Sequence, residues 1–308
     1  MKVLVAGLGV QGRKRLAAAG GDVAATADPV AAGAQYRAVA DVPLPTYDAA
    51  LVCAPDDAKF ELLRYLLGHG KHVLVEKPLV AADSRALDEL SRLAAASGAA
   101  CYTAYNHRFE PHVKRMRETV ASGALGRLYC CRLFYGNGTA RDVRASSWRD
   151  RGLGVLADLG SHLLDMALYW FEMLPRPFVL WSASRFENRA IDHAVFGAAG
   201  TPTLQMEASL ISWRNEFSAD VYGERGSAHI RGLCKWGPST FTVRTRRFPS
   251  GRPEEATTEV AGPDPTWAEE YEYFKTLCRR GGGNLWNDVL LNEMLLELGR
   301  SIAQAVPS

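Results

Sequence analysis

Lys2-Val-Leu-Val-Ala6-Gly7-Leu8-Gly9-Val10-Gln11-Gly12-Arg13 opens the chain, and its reading decides the fold. Lys2 to Ala6 has the β-branched and apolar content of a strand, and Arg13 to Ala19 has helical composition. Three glycines lie between them in the spacing of the dinucleotide fingerprint. Gly7 permits the tight turn, Gly9 lets backbone approach a pyrophosphate, and Gly12 lets the helix pack close to the strand. The helix start then offers N–H groups and a positive dipole end to phosphate. Val10 and Gln11 complete this turn, so both are expected at the cofactor.

The chain beyond it extends the pattern. A second strand, residues 22–27, ends at Asp28, about 20 residues on, where a carboxylate accepts hydrogen bonds from ribose hydroxyls and repels a 2′-phosphate. That favours NAD, with NADP possible because Arg13, Lys14 and Arg15 are near in sequence. Pro29, Pro43 and Pro45 leave little room for a helix before Asp48, so the crossover there is expected to be short or irregular. Residues 48–54, 71–75 and 99–104 read as buried parallel strands. Helices are expected over 58–67 and 83–96, the first capped by Pro55-Asp56-Asp57 and the second stopped by Gly98. Alternation of this kind implies a doubly wound parallel sheet whose ligands bind at the carboxyl ends of its strands. Gly7, Asp28, Ala54, Pro55, Glu76, Lys77 and Asn106 fall at such ends.

The pattern changes after residue 106. A helix over 110–122 and a strand over 127–135 precede an arginine-rich stretch holding Arg141, Arg144, Arg149 and Arg151. Five or six strand-like runs follow between 178 and 248, then a loop over 249–265, then helices over 267–279 and 288–305. Runs of strands without helices imply a mainly antiparallel sheet. The expected fold is therefore α/β: an N-terminal Rossmann domain, residues 1–106, and a C-terminal α+β domain with an open, mainly antiparallel sheet, residues 107–308.

Between the arginines and the strands lies Gly154-Val-Leu-Ala-Asp158-Leu-Gly-Ser-His162-Leu-Leu-Asp165. Val155, Leu159, Leu163, Met166 and Trp170 make one apolar face of a helix. Asp158, His162, Asp165 and Tyr169 make a polar stripe without the Lys, Glu or Arg of a solvent face. The stripe suits either a hydrogen-bonded core helix or an acid/base pair. Gly160, costly inside a helix, suggests close backbone approach there.

Other features bound the function. The formal net charge of +2 is too mild for a nucleic-acid partner, and no apolar run reaches membrane-span length. The start of the chain is too short for a signal-peptide core, and Cys53, Cys101, Cys130, Cys131, Cys234 and Cys278 form neither metal-ligand spacing nor a disulfide framework. A cytoplasmic protein with buried thiols is the expectation.

Gly7-x-Gly9-x-x-Gly12, Glu76-Lys77-Pro78, Tyr105-Asn106-x-Arg108-Phe109 and Gly154-x-x-x-Asp158-x-x-x-His162 together resemble the Gfo/Idh/MocA oxidoreductases, which include glucose–fructose oxidoreductase and inositol dehydrogenase. The resemblance implies hydride transfer between nicotinamide and a hydroxyl-bearing carbon of a sugar, polyol or nucleotide sugar. It implies that Lys77 lies near the nicotinamide, that Asp158 and His162 form an acid/base pair, and that the open sheet makes a homodimer or homotetramer. One departure is Asp56-Asp57-Ala58-Lys59, where the family often carries Asn and a nearby His after the proline.

Imidazole suits the proton transfer because its unperturbed pKa, about 6.5, is close to working pH. His162 is thus expected as acid/base, with Asp158 holding a hydroxyl or tuning the ring and Lys77 facing the developing alkoxide. Arg108, Trp148 and Arg149 are expected at the substrate, and the arginines suit a phosphate-bearing one equally as they suit a solvated loop. Asn106 and Arg108 fit a hinge as well as a ligand contact. A metal held by Asp158, His162 and Asp165 with His107 or His112 is the rival reading; none is expected. The competing classes are a non-catalytic dinucleotide- or sugar-binding regulator and a reductase of a conjugated or imine substrate.

Overall fold

The computed structural model describes residues 1–146 and 148–305. The chain divides into two compact units. The first takes in Met1–Asn106 and Pro265–Asn292, and the second takes in His107–Asp264 and the chain from Glu293 on.

The first unit is built on five parallel strands: β1 (Val3–Ala6), β2 (Val23–Ala27), β3 (Ala49–Val52), β4 (His72–Glu76) and β5 (Cys101–Ala104). Their order is β2-β1-β3-β4-β5, so the order reverses at β1 and β3. That is the switch point where doubly wound sheets bind ligands. β1 and β3 are buried at every residue, as strands covered on both faces must be. Helices α1 (Val10–Ala19), α2 (Asp56–Gly68) and α3 (Ser84–Ser97) make the crossovers. Asp83, read from sequence as the first helical residue, instead caps α3 by accepting from the Arg85 N–H at 3.0 Å, and Gly98, expected to stop the helix, ends it in the left-handed conformation.

Between β2 and β3 the chain forms two single 3₁₀ turns, Val39–Asp41 and Leu44–Thr46, in place of a helix. One parallel bridge, Ala27 to Tyr36, extends the sheet past β2. Helix α7 (Thr266–Arg280), expected with the second domain, packs in the first unit. Polar bonds of long sequence separation hold it there: Tyr271 donates to Asp22 at 2.8 Å, and Glu270 pairs with Arg15 of α1 at 2.7 Å.

The second unit carries α4 (Pro111–Ala121), β6 (Leu128–Gly136), α5 (Ala140–Arg144), α6 (Ser161–Phe171) and seven further strands. These are β7 (Val179–Ser184), β8 (His193–Ala198), β9 (Thr203–Ser209), β10 (Glu216–Gly223), β11 (Gly226–Arg231), β12 (Ser239–Thr245) and β13 (Glu254–Val260). The sheet order is β13-β12-β11-β10-β6-β9-β8-β7, antiparallel throughout except for the β6–β9 pair. β13 lies in the span expected to be a loop. Its residues, Glu254-Glu-Ala-Thr-Thr-Glu-Val260, show no apolar alternation because it is an exposed edge strand held by backbone pairing to β12. α5 likewise replaces part of the arginine-rich loop. The last helix, α8, spans Leu285–Ala305.

Candidate active site

In the first unit, β1 ends at Gly7, where φ is +92° and an added Cβ would stand 2.6 Å from the Cys53 carbonyl oxygen at the end of β3. A Cβ on Gly12 would stand 1.9 Å from the Gly7 oxygen. Both glycines are therefore fixed by packing of loop, helix and neighbouring strand. Gly9 differs: a Cβ there meets nothing within 4 Å. It is the N-cap of α1, with no side-chain cap and no acidic residue in the first turn. An uncapped, uncharged helix start beside open space fits the diphosphate of a dinucleotide.

Asp28 closes the same loop. Its carboxylate accepts from Leu8 N–H at 2.7 Å and from Val30 and Ala31 N–H at 2.8 Å each. Burial opposes ionisation, but the amides of Ala31, Leu8 and Val30, with Arg37 nearby, hold the carboxyl below its ordinary range. A fixed negative charge thus stands at the end of β2. The three cations of α1 have other partners. Arg13 donates to the Leu8 carbonyl, Lys14 lies over the Trp267 ring, and Arg15 is buried between carboxylates.

Arg15 Nε donates to Glu76 Oε1 at 2.6 Å, and Arg15 Nη1 lies 2.7 Å from Glu270 Oε2. Its guanidinium also lies 4.4 Å from the centre of the Trp267 ring. The Glu76 side chain is therefore turned to Arg15, at the end of β4 where Lys77 follows. Burial pushes the Glu270 carboxyl up to about 7, Arg15 opposing and Glu76 adding to the shift. Lys59, in the stretch that departs from the family pattern, is 2% exposed. Its Nζ donates to the Pro78 carbonyl at 2.8 Å and to Asp56 at 2.6 Å, which ties α2 to the turn carrying Lys77. Sequence reasoning missed this contact; a lysine one turn into a helix carries no signal of burial. Asn106, at the end of this unit's first segment, donates to the Thr266 hydroxyl at 2.9 Å.

In the second unit, the Asp158–His162 segment is two helices in one. Leu156–Gly160 winds as a π-turn and Ser161–Phe171 as α6. π-Turns inside α-helices are rare and concentrate at functional sites. Gly154 begins the segment at φ +52°, where a Cβ would stand 2.2 Å from the Ile191 oxygen. Gly160 has no such need: its added Cβ would meet only ordinary contacts at 3.5 Å and beyond. The close approach expected there lies at Gly154 instead. Every residue of the apolar face is buried, and so is the polar residue Asp165.

Each member of the polar stripe has its own surroundings. Asp158 is half-buried and accepts from Arg149 Nη2 at 3.1 Å. His162, 6% exposed, stacks on His107 with ring centroids 4.0 Å apart. Tyr135 of β6 lies 5.9 Å from the His162 ring. Burial, with Asp158 and Glu110 nearby, pushes the Tyr135 phenol well above its ordinary range. Asp165 takes a two-pronged bond from Arg108, at 2.8 and 2.6 Å. That explains Asp165 and gives Arg108, expected at the substrate, an anchoring contact on α6.

Trp148 is 44% exposed. Of the arginines before the helix, Arg144 donates to the Glu187 carbonyl and Arg151 to the Trp148 carbonyl. Among the described residues, the grouping that could hold a metal is Glu110, Cys234 and Asp264, whose ligand atoms lie within 4.8 Å of one another. It is distinct from the Asp158, His162 and Asp165 set. Burial and Glu110 push the Cys234 thiol up to about 12.

Two family models match the chain. Residues 1–105 match an oxidoreductase family with an NAD-binding Rossmann fold, and residues 113–229 match the GFO/IDH/MocA C-terminal domain. An uncharacterised oxidoreductase of Bacillus subtilis is 30% identical over 66% of this chain and 60% of its own length. A mouse trans-1,2-dihydrobenzene-1,2-diol dehydrogenase is 25% identical over 69% of this chain and 59% of its own. The chain thus matches less than two thirds of the length of these relatives. Levoglucosan dehydrogenase in complex with NADH has the same fold: TM-score 0.84 at 17% identity, covering 99% of this chain and 97% of that one. No described helix is long and apolar enough to cross a membrane.

Proposed function

The chain belongs to the Gfo/Idh/MocA oxidoreductase family, and from that membership we propose that it transfers a hydride between a nicotinamide dinucleotide and a hydroxyl- or keto-bearing carbon of a sugar, polyol or nucleotide sugar. The observation that carries the proposal is the uncapped, uncharged start of α1 at Gly9, beside the fixed carboxylate of Asp28. The bound nicotinamide supplies the hydride donor or acceptor.

Gly9, Val10, Gln11 and Gly12 hold the diphosphate through backbone amides, Gly7, whose own amide donates to the Ala27 carbonyl, shapes the turn beneath it, and Asp28 selects NAD over NADP by repelling a 2′-phosphate. Ala54, Pro55, Glu76, Lys77 and Asn106 complete the cofactor site, Glu76 through its backbone because its carboxylate is held by Arg15. His162 takes the hydroxyl proton in oxidation and returns it in reduction. Asp158 binds a neighbouring hydroxyl or tunes the imidazole, and Lys77 sets positive charge beside the developing alkoxide. Trp148 and Arg149 contact the substrate, and Arg108 serves by fixing α6 through Asp165. The mouse relative acts on a diol by its name, which supports a substrate of that kind.

Arg141, Arg144, Arg149 and Arg151 carry the phosphate-bearing version of the substrate; unchanged activity in the Arg149→Ala/Arg151→Ala double variant would remove it. The open sheet supports a homodimer or homotetramer, and the six free thiols support a reducing, cytoplasmic setting. Equilibrium titration with NAD and NADP tests the cofactor site. The proposal expects NAD to bind at least tenfold more tightly, and the Asp28→Ala variant to narrow that ratio. Equal binding of both by the wild type counts against the role of Asp28.

A further inference from the structure

His162 is backed by two residues that the proposed reaction does not use. His107 lies against it, with ring planes 28° from parallel, and is 1% exposed. Lys235 Nζ lies 2.8 Å from His107 Nε2 and 4.7 Å from the centre of the Trp236 ring. Tyr135 flanks both imidazoles, 5.4 Å from His107 and 5.9 Å from His162.

An ammonium can donate to Nε2 only if that nitrogen keeps its lone pair, so with Lys235 charged His107 carries its single proton on Nδ1 and is neutral. Two charged imidazoles in face contact would repel each other, and Lys235 sets a positive charge one ring away from His162. Ionisable groups of this unit near the stack include Asp158 and Asp165 on the helix itself, Tyr135 on β6, and Glu110, whose backbone N–H donates to the His107 carbonyl at 3.1 Å. Asp158 and Asp165 are paired with Arg149 and Arg108. Glu110 Oε2 accepts from Cys234 N–H at 3.1 Å, and burial pushes its carboxyl up, which weakens its pull for a proton on the stack.

We propose that Lys235 and His107 are positioning residues that hold His162 oriented and unprotonated, ready to act as a base. The word base rests on the oxidoreductase reading above; the array does not, and can be measured without turnover. Lys235 keeps His107 neutral, His107 presents a flat uncharged wall, and the His162 ring is thereby held in one plane without a proton.

Histidine-ring NMR titration of the full chain tests this, with His162 assigned from the spectrum of His162→Gln. In Lys235→Met the His162 midpoint is expected to move upward by about one pH unit, and His107 to begin titrating. Lys235→Gln keeps a donor for Nε2 and is expected to give the same upward shift, which guards against a misfolded methionine variant. Lys235→Arg keeps the charge and is expected to leave the midpoint in place. In alcohol oxidation, the acid limb of kcat/KM should follow the NMR midpoint while the alkaline plateau is retained. An unmoved midpoint in folded Lys235→Gln overturns the proposal. A shifted midpoint in a protein that reduces no nicotinamide upholds the array and refutes the dehydrogenase reading.

Discussion

Arg108 and Asp165 show how a residue acquires its meaning from a partner distant in sequence. Asp165 lies on the polar stripe with Asp158 and His162, and spacing alone cannot separate the three. Its carboxylate is 1% exposed and closed by the Arg108 fork, so it reads as an anchor. Removing Arg108 takes a two-pronged, charge-matched partner from that buried carboxylate. Arg108→Ala is expected to cost about 3 kcal/mol in urea denaturation. Arg108→Ala/Asp165→Leu is expected to recover most of the loss, since the buried charge that Arg108 had neutralised is gone as well. Lys59 shows the same limit. Its bonds to Asp56 and the Pro78 carbonyl depend on how α2 meets the turn after β4, and that meeting has no local trace in sequence. Gly7, Gly12 and Asp28 were legible as the turn and its closing carboxylate because neighbours within a few positions already specify a geometry.

At the scale of elements, the glycine turn separates two roles that the fingerprint merges. Gly9→Ala meets open space and is expected to leave stability within about 0.5 kcal/mol while weakening dinucleotide binding at least tenfold. Gly12→Ala forces a Cβ to 1.9 Å from the Gly7 oxygen and is expected to cost about 3 kcal/mol. Paired thermal melts and NAD titrations check both; unchanged NAD affinity in Gly9→Ala would remove the cradle. Arg15 joins α1, β4 and α7 through Glu76 and Glu270. The Glu270 carboxyl is raised to about 7, so between about 4.5 and 7 the folded state binds a proton that the unfolded state releases. This group therefore makes stability fall as pH rises through that window and level off above it. Melting temperatures across pH 4.5 to 8 should show that slope in the wild type and a flatter one in Glu270→Gln. The π-turn at Leu156–Gly160 was hidden because helical spacing of apolar residues tolerates one inserted residue. Gly160 suggested close contact, yet the contact falls at Gly154.

For the whole molecule, alternation of strand and helix made the first unit legible, because parallel strands buried on both faces leave continuous apolar runs. The runs of strands after residue 178 did the same for the second sheet. Two features escaped. β13 buries almost nothing, so its sequence carries no pattern to read. α7 is amphipathic wherever it packs, and partners distant in sequence, those of Thr266, Trp267, Glu270 and Tyr271, place it in the first unit. Self-association belongs to this scale as well. Light scattering on the purified chain is expected to report a dimer or tetramer, and a monomer at micromolar concentration would count against the sheet as an assembly surface. The most direct test of the central claim is absorbance of reduced nicotinamide when the full chain meets NAD and a panel of sugars, polyols and nucleotide sugars. The account predicts NAD reduction with at least one of them, and loss of at least 100-fold in turnover for His162→Ala with NAD affinity unchanged. His162→Ala turning over as fast as the wild type, or a wild type that binds NAD and reduces it with none of the panel, would contradict it.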